Sequence, residues 1–423
     1  DLDAELIQLM DVFSYGGENY VPEDYREEEI QNLKLHGVTH MTFDEKLLSV
    51  DLTVDNVEAY VKNHKMQFER FSGKGFVDST HLEITDLGGK LGNSEFTADL
   101  FYNLDSTDTN TAHSFSLKSP RLDFDQLFAY APPTPNEETG AVDHEAGFNV
   151  FDLPFSKMNF DLEIDHLNYH KFLLDDFLLK GRMQPNHYIY VDSMALKAAG
   201  GEMGLNGYFN GSNPDSIYFS PNMALSNVDL DRLLFKFDNF GQDQLVSDNL
   251  HGQLSGNLKG KIHMHPDLVP ATDISELEID IEVINGSLNN FTAFEALSDY
   301  FTDKNLQKVR FDTLRNTLEL KNGDLIIPKM NIYTSLGYFE ISGRQGINLD
   351  MDYTMSIPLK VVAKAGFQKL FGKKNRDTSD QIDEIQYRDD NKRTKFITVN
   401  ISGTPEDYKV ALGKGKRRRQ NGE

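Results

Sequence analysis

From Leu250 to Met264 the chain alternates without a break. Leu250, Gly252, Leu254, Gly256, Leu258, Gly260, Ile262 and Met264 stand against His251, Gln253, Ser255, Asn257, Lys259, Lys261 and His263. Side chains on a strand point to opposite faces with period two, so this run predicts an extended strand with one apolar or bare face and one wetted face. At roughly 3.3 Å per residue the strand spans on the order of 45 Å, well beyond the usual five or six residues. The pattern returns where Leu277, Ile279, Ile281 and Val283 oppose Glu276, Glu278, Asp280 and Glu282. It returns again where Ile347, Leu349, Met351, Tyr353, Met355, Ile357 and Leu359 alternate with Asn348, Asp350, Asp352, Thr354, Ser356 and Pro358. The predicted fold is mainly β: an elongated, twisted, long-stranded antiparallel sheet curled into an open groove, with a few short capping helices. The candidate groove lining is Leu250, Leu254, Leu258, Ile262, Met264, Leu277, Ile279, Ile281, Ile347, Leu349, Met351, Tyr353, Met355 and Ile357.

Internal similarity organises the rest of the chain. Asp51 to Asp55, Phe71-Ser-Gly73, Gly88-Gly-Lys-Leu-Gly92, the stretch Phe96 to Tyr102 and Leu122-Asp-Phe-Asp-Gln-Leu127 occur in that order. The same order recurs as Asp161 to Asp165, Leu179-Lys-Gly181, Gly200-Gly-Glu-Met-Gly204, the Tyr208 strand and Val228-Asp-Leu-Asp-Arg-Leu233. The paired glycines read as tight turns, where positive φ is needed. The recurring Asp residues read as caps of short helices, accepting from free backbone N–H groups. Asp1-Leu-Asp-Ala-Glu-Leu6 matches the Asp229 stretch, so the first residues read as the tail of an earlier unit. The expected organisation is a β-groove unit over 1–130, a Pro-rich loop over 131–150 and a second unit over 151–249. A C-terminal region over 250–412 with a charged insertion at 373–392, then a basic tail over 413–423, completes it.

Two helices are expected. Thr292-Ala-Phe-Glu295 is a capping box that opens Thr292 to Thr302. Lys360 to Lys373 sets Val361, Val362, Ala365 and Leu370 against several lysines, a pattern of core-packing helices that also suits a membrane surface. The tail cluster Lys414 to Arg419 could meet anionic lipid in the same way.

Composition narrows the function classes. With 67 acidic against 42 basic residues the formal charge is -25, which repels nucleic acid. The 423 residues contain no cysteine, so disulfides, thiolate metal sites and cysteine nucleophiles are excluded. No apolar run reaches the roughly 18 to 20 residues of a spanning helix. The chain opens at Asp1 without Met or a secretion signal, which leads us to expect an excerpt or a processed chain. His263 and His265 share one strand face but have no third ligand nearby in sequence, and Asp143-His144-Glu145 sits in the Pro-rich loop. No nucleophile elbow, Walker sequence, dinucleotide fingerprint or HExxH is present, so no enzyme, metal or cofactor is expected.

The C-terminal half carries an ordered set of motifs: Ile279-Asp-Ile-Glu-Val-Ile-Asn-Gly286, Phe294-Glu-Ala-Leu297, Leu320 to Met330, Ser335-Leu-Gly-Tyr-Phe-Glu-Ile-Ser-Gly343 and Asp352 to Leu359. Over about residues 250 to 410 this resembles the C-terminal region of AsmA-like proteins, relatives of TamB and YhdP in the Gram-negative envelope. The resemblance implies a periplasmic β-groove held in the inner membrane by an upstream anchor. It also implies a part in outer-membrane homeostasis and phospholipid movement between the two membranes. The expected partner is phospholipid or another acyl-chain lipid, with envelope proteins besides. A scaffold or adaptor with a filled β interior is the rival expectation.

Overall fold

The computed structural model describes residues 2–8, 10, 26–44, 47–63, 65–105, 107–127, 149–152, 155–169, 172–236, 249–290, 307–346, 350–359, 384–385, 387, 394–404 and 407–413. The expected helices at Thr292 to Thr302 and Lys360 to Lys373 lie outside the described residues. So do the 131–148 loop, most of 373–392, the basic tail, Ile347 and Leu349. The protein is mainly β, with twenty strands hydrogen-bonded in one sheet and two short α-helices among the described residues. Contacts divide it into two compact units, Asp1–Ala198, Gly204–Ile217 and His265–Val269 in the first and Ala199–Met203, Tyr218–Met264 and Pro270–Glu423 in the second.

The first unit runs β1 (Leu2–Gln8), β2 (Glu29–Asp44), β3 (Leu47–Val61), β4 (Met66–Val77), β5 (His81–Leu91), β6 (Ser94–Asn103), β7 (His113–Asp123), helix α1 (Phe124–Leu127), β8 (Met158–Tyr169), β9 (Phe172–Gln184) and β10 (Tyr188–Ala198). Each strand pairs antiparallel with the next, except that β7 and β8 run parallel across the α1 connection. The stretch matched in sequence to the capped helices at the very start is a strand, Leu2–Gln8, because β2 offers it a ladder.

After β11 (Gly201–Asn210) and β12 (Ile217–Asp229) comes helix α2 (Leu230–Lys236). The second unit then continues through β13 (Leu250–Met264), β14 (Glu276–Asn289), β15 (Lys308–Lys321), β16 (Asp324–Tyr333), β17 (Tyr338–Gly346), β18 (Met351–Pro358), β19 (Phe396–Gly403) and β20 (Tyr408–Gly413). From β13 to β20 every ladder is antiparallel between consecutive strands. Among the described residues no ladder joins the first strand of either unit to its last, so neither unit closes into a barrel.

The expected Asp caps are both present. The Gln126 N–H donates to Asp123 at 3.1 Å to start α1, and the Arg232 N–H donates to Asp229 at 3.1 Å to start α2. The glycine pairs divide. Ala199 and Gly200, with φ of 49° and 75°, make the expected turn after β10. Gly88 and Gly89 instead lie inside β5, and the turn falls to Gly92 at φ 58°.

Candidate functional site

In the first unit, ladder partners carry one apolar row across eight strands. Leu52, Gly75, Ile84, Leu100, Phe115, Phe160, Gly181 and Val191 are successive Cα partners from β3 to β10. A second row runs Leu87, Ala98, Leu117, Leu162, Leu179 and Met194. The row between them is Asp99, Ser116, Asp161, Lys180 and Ser193, facing the other way. Since opposed residues on one face of adjacent strands touch, these rows are stripes perpendicular to the strands.

Burial separates the two faces. Of the side chains in the two apolar rows only Ala98, at 7%, is buried; Leu52 is 38% exposed and the others are half-buried. Lateral neighbours cover their flanks, and among the described residues no second layer buries them. The polar face carries cross-strand ion pairs: Lys180 meets Asp161 at 2.8 Å, Arg182 meets Asp192 at 2.8 Å and Lys90 meets Glu69 at 3.2 Å. The Asp161 carboxylate beside it holds the Lys180 ammonium above its usual range. Such solvated pairs add little stability.

In the second unit the rows Leu258–Ile279–Leu318 and Gly260–Leu277–Leu320 cross β13, β14 and β15 with every side chain half-buried. Gly256, Ile281 and Asn316 form the next row, and there a Cβ on Gly256 would collide with the Asp280 carbonyl oxygen. The glycine is needed for the close approach of β13 to β14. Further along, the face is filled. Helix α2 sets Leu230 and Leu233 into a buried cluster with Ala199, Val228, Val283 and Phe311, against which Leu250 and Leu254 pack. A second cluster joins Val309, Leu336, Phe339, Met355, Ile357, Val399 and Ile401, with Met351 and Tyr353 packed on it. Leu336 reaches that cluster from a turn in which Thr334 Oγ1 donates to the Gly337 carbonyl at 2.8 Å and the Ser335 N–H donates to the Arg310 carbonyl at 2.9 Å.

The candidate lining residues thus fall into three classes. Leu258, Ile262, Met264, Leu277, Ile279 and Ile281 stay half-buried and outside either cluster; Leu250, Leu254, Met351 and Tyr353 flank a cluster; Met355 and Ile357 are core. The rows of the first unit had been missed because its strands do not alternate from end to end. In β5 the apolar side changes parity between Ile84 and Leu87, at a register shift around Asp86 with φ 54°. In β3 it changes between Val54 and Val57, and in β4 around Arg70 with φ 54°. Each such bulge moves the rest of the strand to the other face. An Asp, Asn or Arg standing where the parity breaks was the available signal.

Polar groups do not converge as a reaction centre does. The 610 Å³ cleft over the middle of β13 to β15 is lined by Ser255, Asn257, Asp280, Glu282, Arg315 and Thr317 together with their neighbours. Inside it Arg315 is paired with Glu282, and Thr317 Oγ1 donates to Asp280 at 2.6 Å. The His263 N–H donates to Ser275 Oγ at 3.0 Å, and the His265 N–H to the Val269 carbonyl at 2.9 Å. Among the described residues no three His, Cys, Asp or Glu side chains gather as metal ligands, and no helix is long and apolar enough to cross a membrane. No family model, curated protein or solved structure matches the chain.

Proposed function

We propose that this protein is a non-enzymatic lipid-binding and lipid-conducting protein whose half-covered apolar rows carry the acyl chains of phospholipids. The observation that carries the reading is the row from Leu52 to Val191, in which opposed positions follow one another through seven ladders and every apolar side chain stays half-buried or exposed. Burying hydrocarbon is worth about 0.8 kcal/mol per methylene, so an acyl chain lying along such a row is held without any headgroup contact. Selectivity among headgroups is then low. The resemblance to AsmA-like proteins supports a periplasmic setting in a Gram-negative envelope, with an upstream inner-membrane anchor and traffic between inner and outer membranes.

Native mass spectrometry and organic extraction of the purified chain test this directly. Copurifying phospholipid, displaced by added fatty acid, is the expected result; a lipid-free protein that takes up no acyl chain refutes the reading. The rival is a scaffold or adaptor with a filled interior, favoured by the buried cluster around Met355 and Ile357. It predicts a lipid-free protein of unchanged stability in detergent.

A further inference from the structure

Helix α2 sits where an acyl chain would otherwise lie. Along β13 the apolar face reads Leu250, Leu254, Leu258 and Ile262, and among the described residues its first half, Leu250 and Leu254, packs against the cluster that holds Leu230 and Leu233 of α2, while Leu258 and Ile262 lie outside it. Both helix residues are buried, at 6% and 8%, while Leu258 and its ladder partner Ile279 are half-buried. The seat under α2 therefore accepts two branched aliphatic side chains, which is the chemistry of hydrocarbon. It joins directly to the uncovered rows of the same strand.

Helix α2 is short and carries one half-satisfied polar contact. It has seven residues, starts at the Asp229 cap, and is tied to β13 through Asp231, which meets His251 Nδ1 at 2.8 Å. The other oxygen of that carboxylate, Asp231 Oδ1, is buried without a hydrogen-bond partner among the described residues. A buried acceptor left unmade opposes docking, and so short a helix has little intrinsic stability of its own.

We infer that α2 is a plug over a cryptic acyl-chain site, and that its release extends the Leu258–Ile279–Leu318 rows through Leu254, Val283 and Leu314 into one longer apolar track. This rests on the lipid-binding reading above. The occupant is a single acyl chain of a phospholipid, which takes the place of Leu230 and Leu233.

The full chain would be incubated with phosphatidylethanolamine vesicles containing a phospholipid with a diazirine on its acyl chain, irradiated and mapped by peptide mass spectrometry. The parent should be labelled at Leu258 and Ile279 and only weakly over 250–254. His251→Ala should raise the label over 250–254 about fivefold, the population change that roughly 1 kcal/mol of lost docking produces, and Leu233→Ala, which truncates a buried side chain, should raise it further. Because the chain has no cysteine, Asp231→Cys with His251→Cys joined by a short bismaleimide holds α2 down at one defined place. The tether should remove the 250–254 label and leave that of Ile279. Equal label over 250–254 in tethered and released proteins, or no rise in either released variant, overturns the plug while Ile279 labelling upholds lipid binding. No label on any row in any variant, Leu100 of the first unit included, overturns both.

Discussion

The row through Leu52, Ile84, Leu100 and Phe115 in the first unit and the row through Ile341, Met355 and Val399 in the second are built from the same residue types, on antiparallel ladders of the same kind. Their burial differs. Leu52 is 38% exposed and its row neighbours are half-buried, whereas Met355 is 8% exposed, Val399 2% and the adjacent Ile357 1%. The cause is the turn that brings Leu336 over β17 to β19, with Val309 and Phe339 beside it. An apolar stripe becomes a core when a second layer of the chain meets it, and stays a surface for hydrocarbon when none does.

The widest separation between the two regions should come from truncation. Ile357→Ala removes a fully buried side chain that its cluster cannot refill, and should cost about 2–5 kcal/mol in urea unfolding. Leu100→Ala, half-covered by lateral neighbours, should cost about 1 kcal/mol or less. Equal costs would break the distinction between core and open row. Leu100→Asp sharpens it further: a charge on an open row reaches water, so the protein should remain folded by circular dichroism while copurifying lipid drops several-fold. Met355→Asp, placed in the closed cluster, should fail to fold.

Titration gives smaller effects of opposite sign in the two units. Burial pushes the Tyr353 phenol up to about 12, and its hydroxyl donates to Gln345 at 2.8 Å. With the folded value above the usual 10.0, the stability it contributes is complete below pH 10 and is lost as pH rises through 12. Tyr353→Phe should remove that part of the alkaline transition, followed by tyrosinate absorbance. In the first unit Asp78 accepts from the Thr80 hydroxyl and from the Thr80 and His81 N–H groups, which takes its carboxyl from 3.8 down to about 2. Its contribution is present above pH 3.8 and disappears as pH falls through 2, and the Thr80 and His81 amide resonances should shift as the carboxyl takes up its proton near pH 2. Asp78→Asn should abolish the shift and leave the apolar rows undisturbed.

Local pattern carried a large part of the fold. The alternation from Leu250 to Met264 gives β13 with the same limits, and the Asp123 and Asp229 positions give the starts of both short helices. The long rows of the first unit were not legible, because bulges at Arg70 and Asp86 reset which residues share a face. Residues on one face there, such as Ile84 and Leu87 of the two neighbouring rows, have opposite parity in sequence. The pairing of the neighbouring strand is what restores them to a common face.

What the sequence determined by itself is which residues are extended and on which side of a regular strand each lies, since a two-residue period and a capping carboxylate act within a few residues. Whether an apolar side is then sealed or left half-open was decided only in three dimensions. Leu254 packs under a helix that begins 24 positions earlier, at Leu230, and Met355 under a turn at Leu336, while Ile279 in the same sheet is half-buried and belongs to neither cluster of the described residues. Burial depends on distant segments meeting, and no local period encodes that meeting.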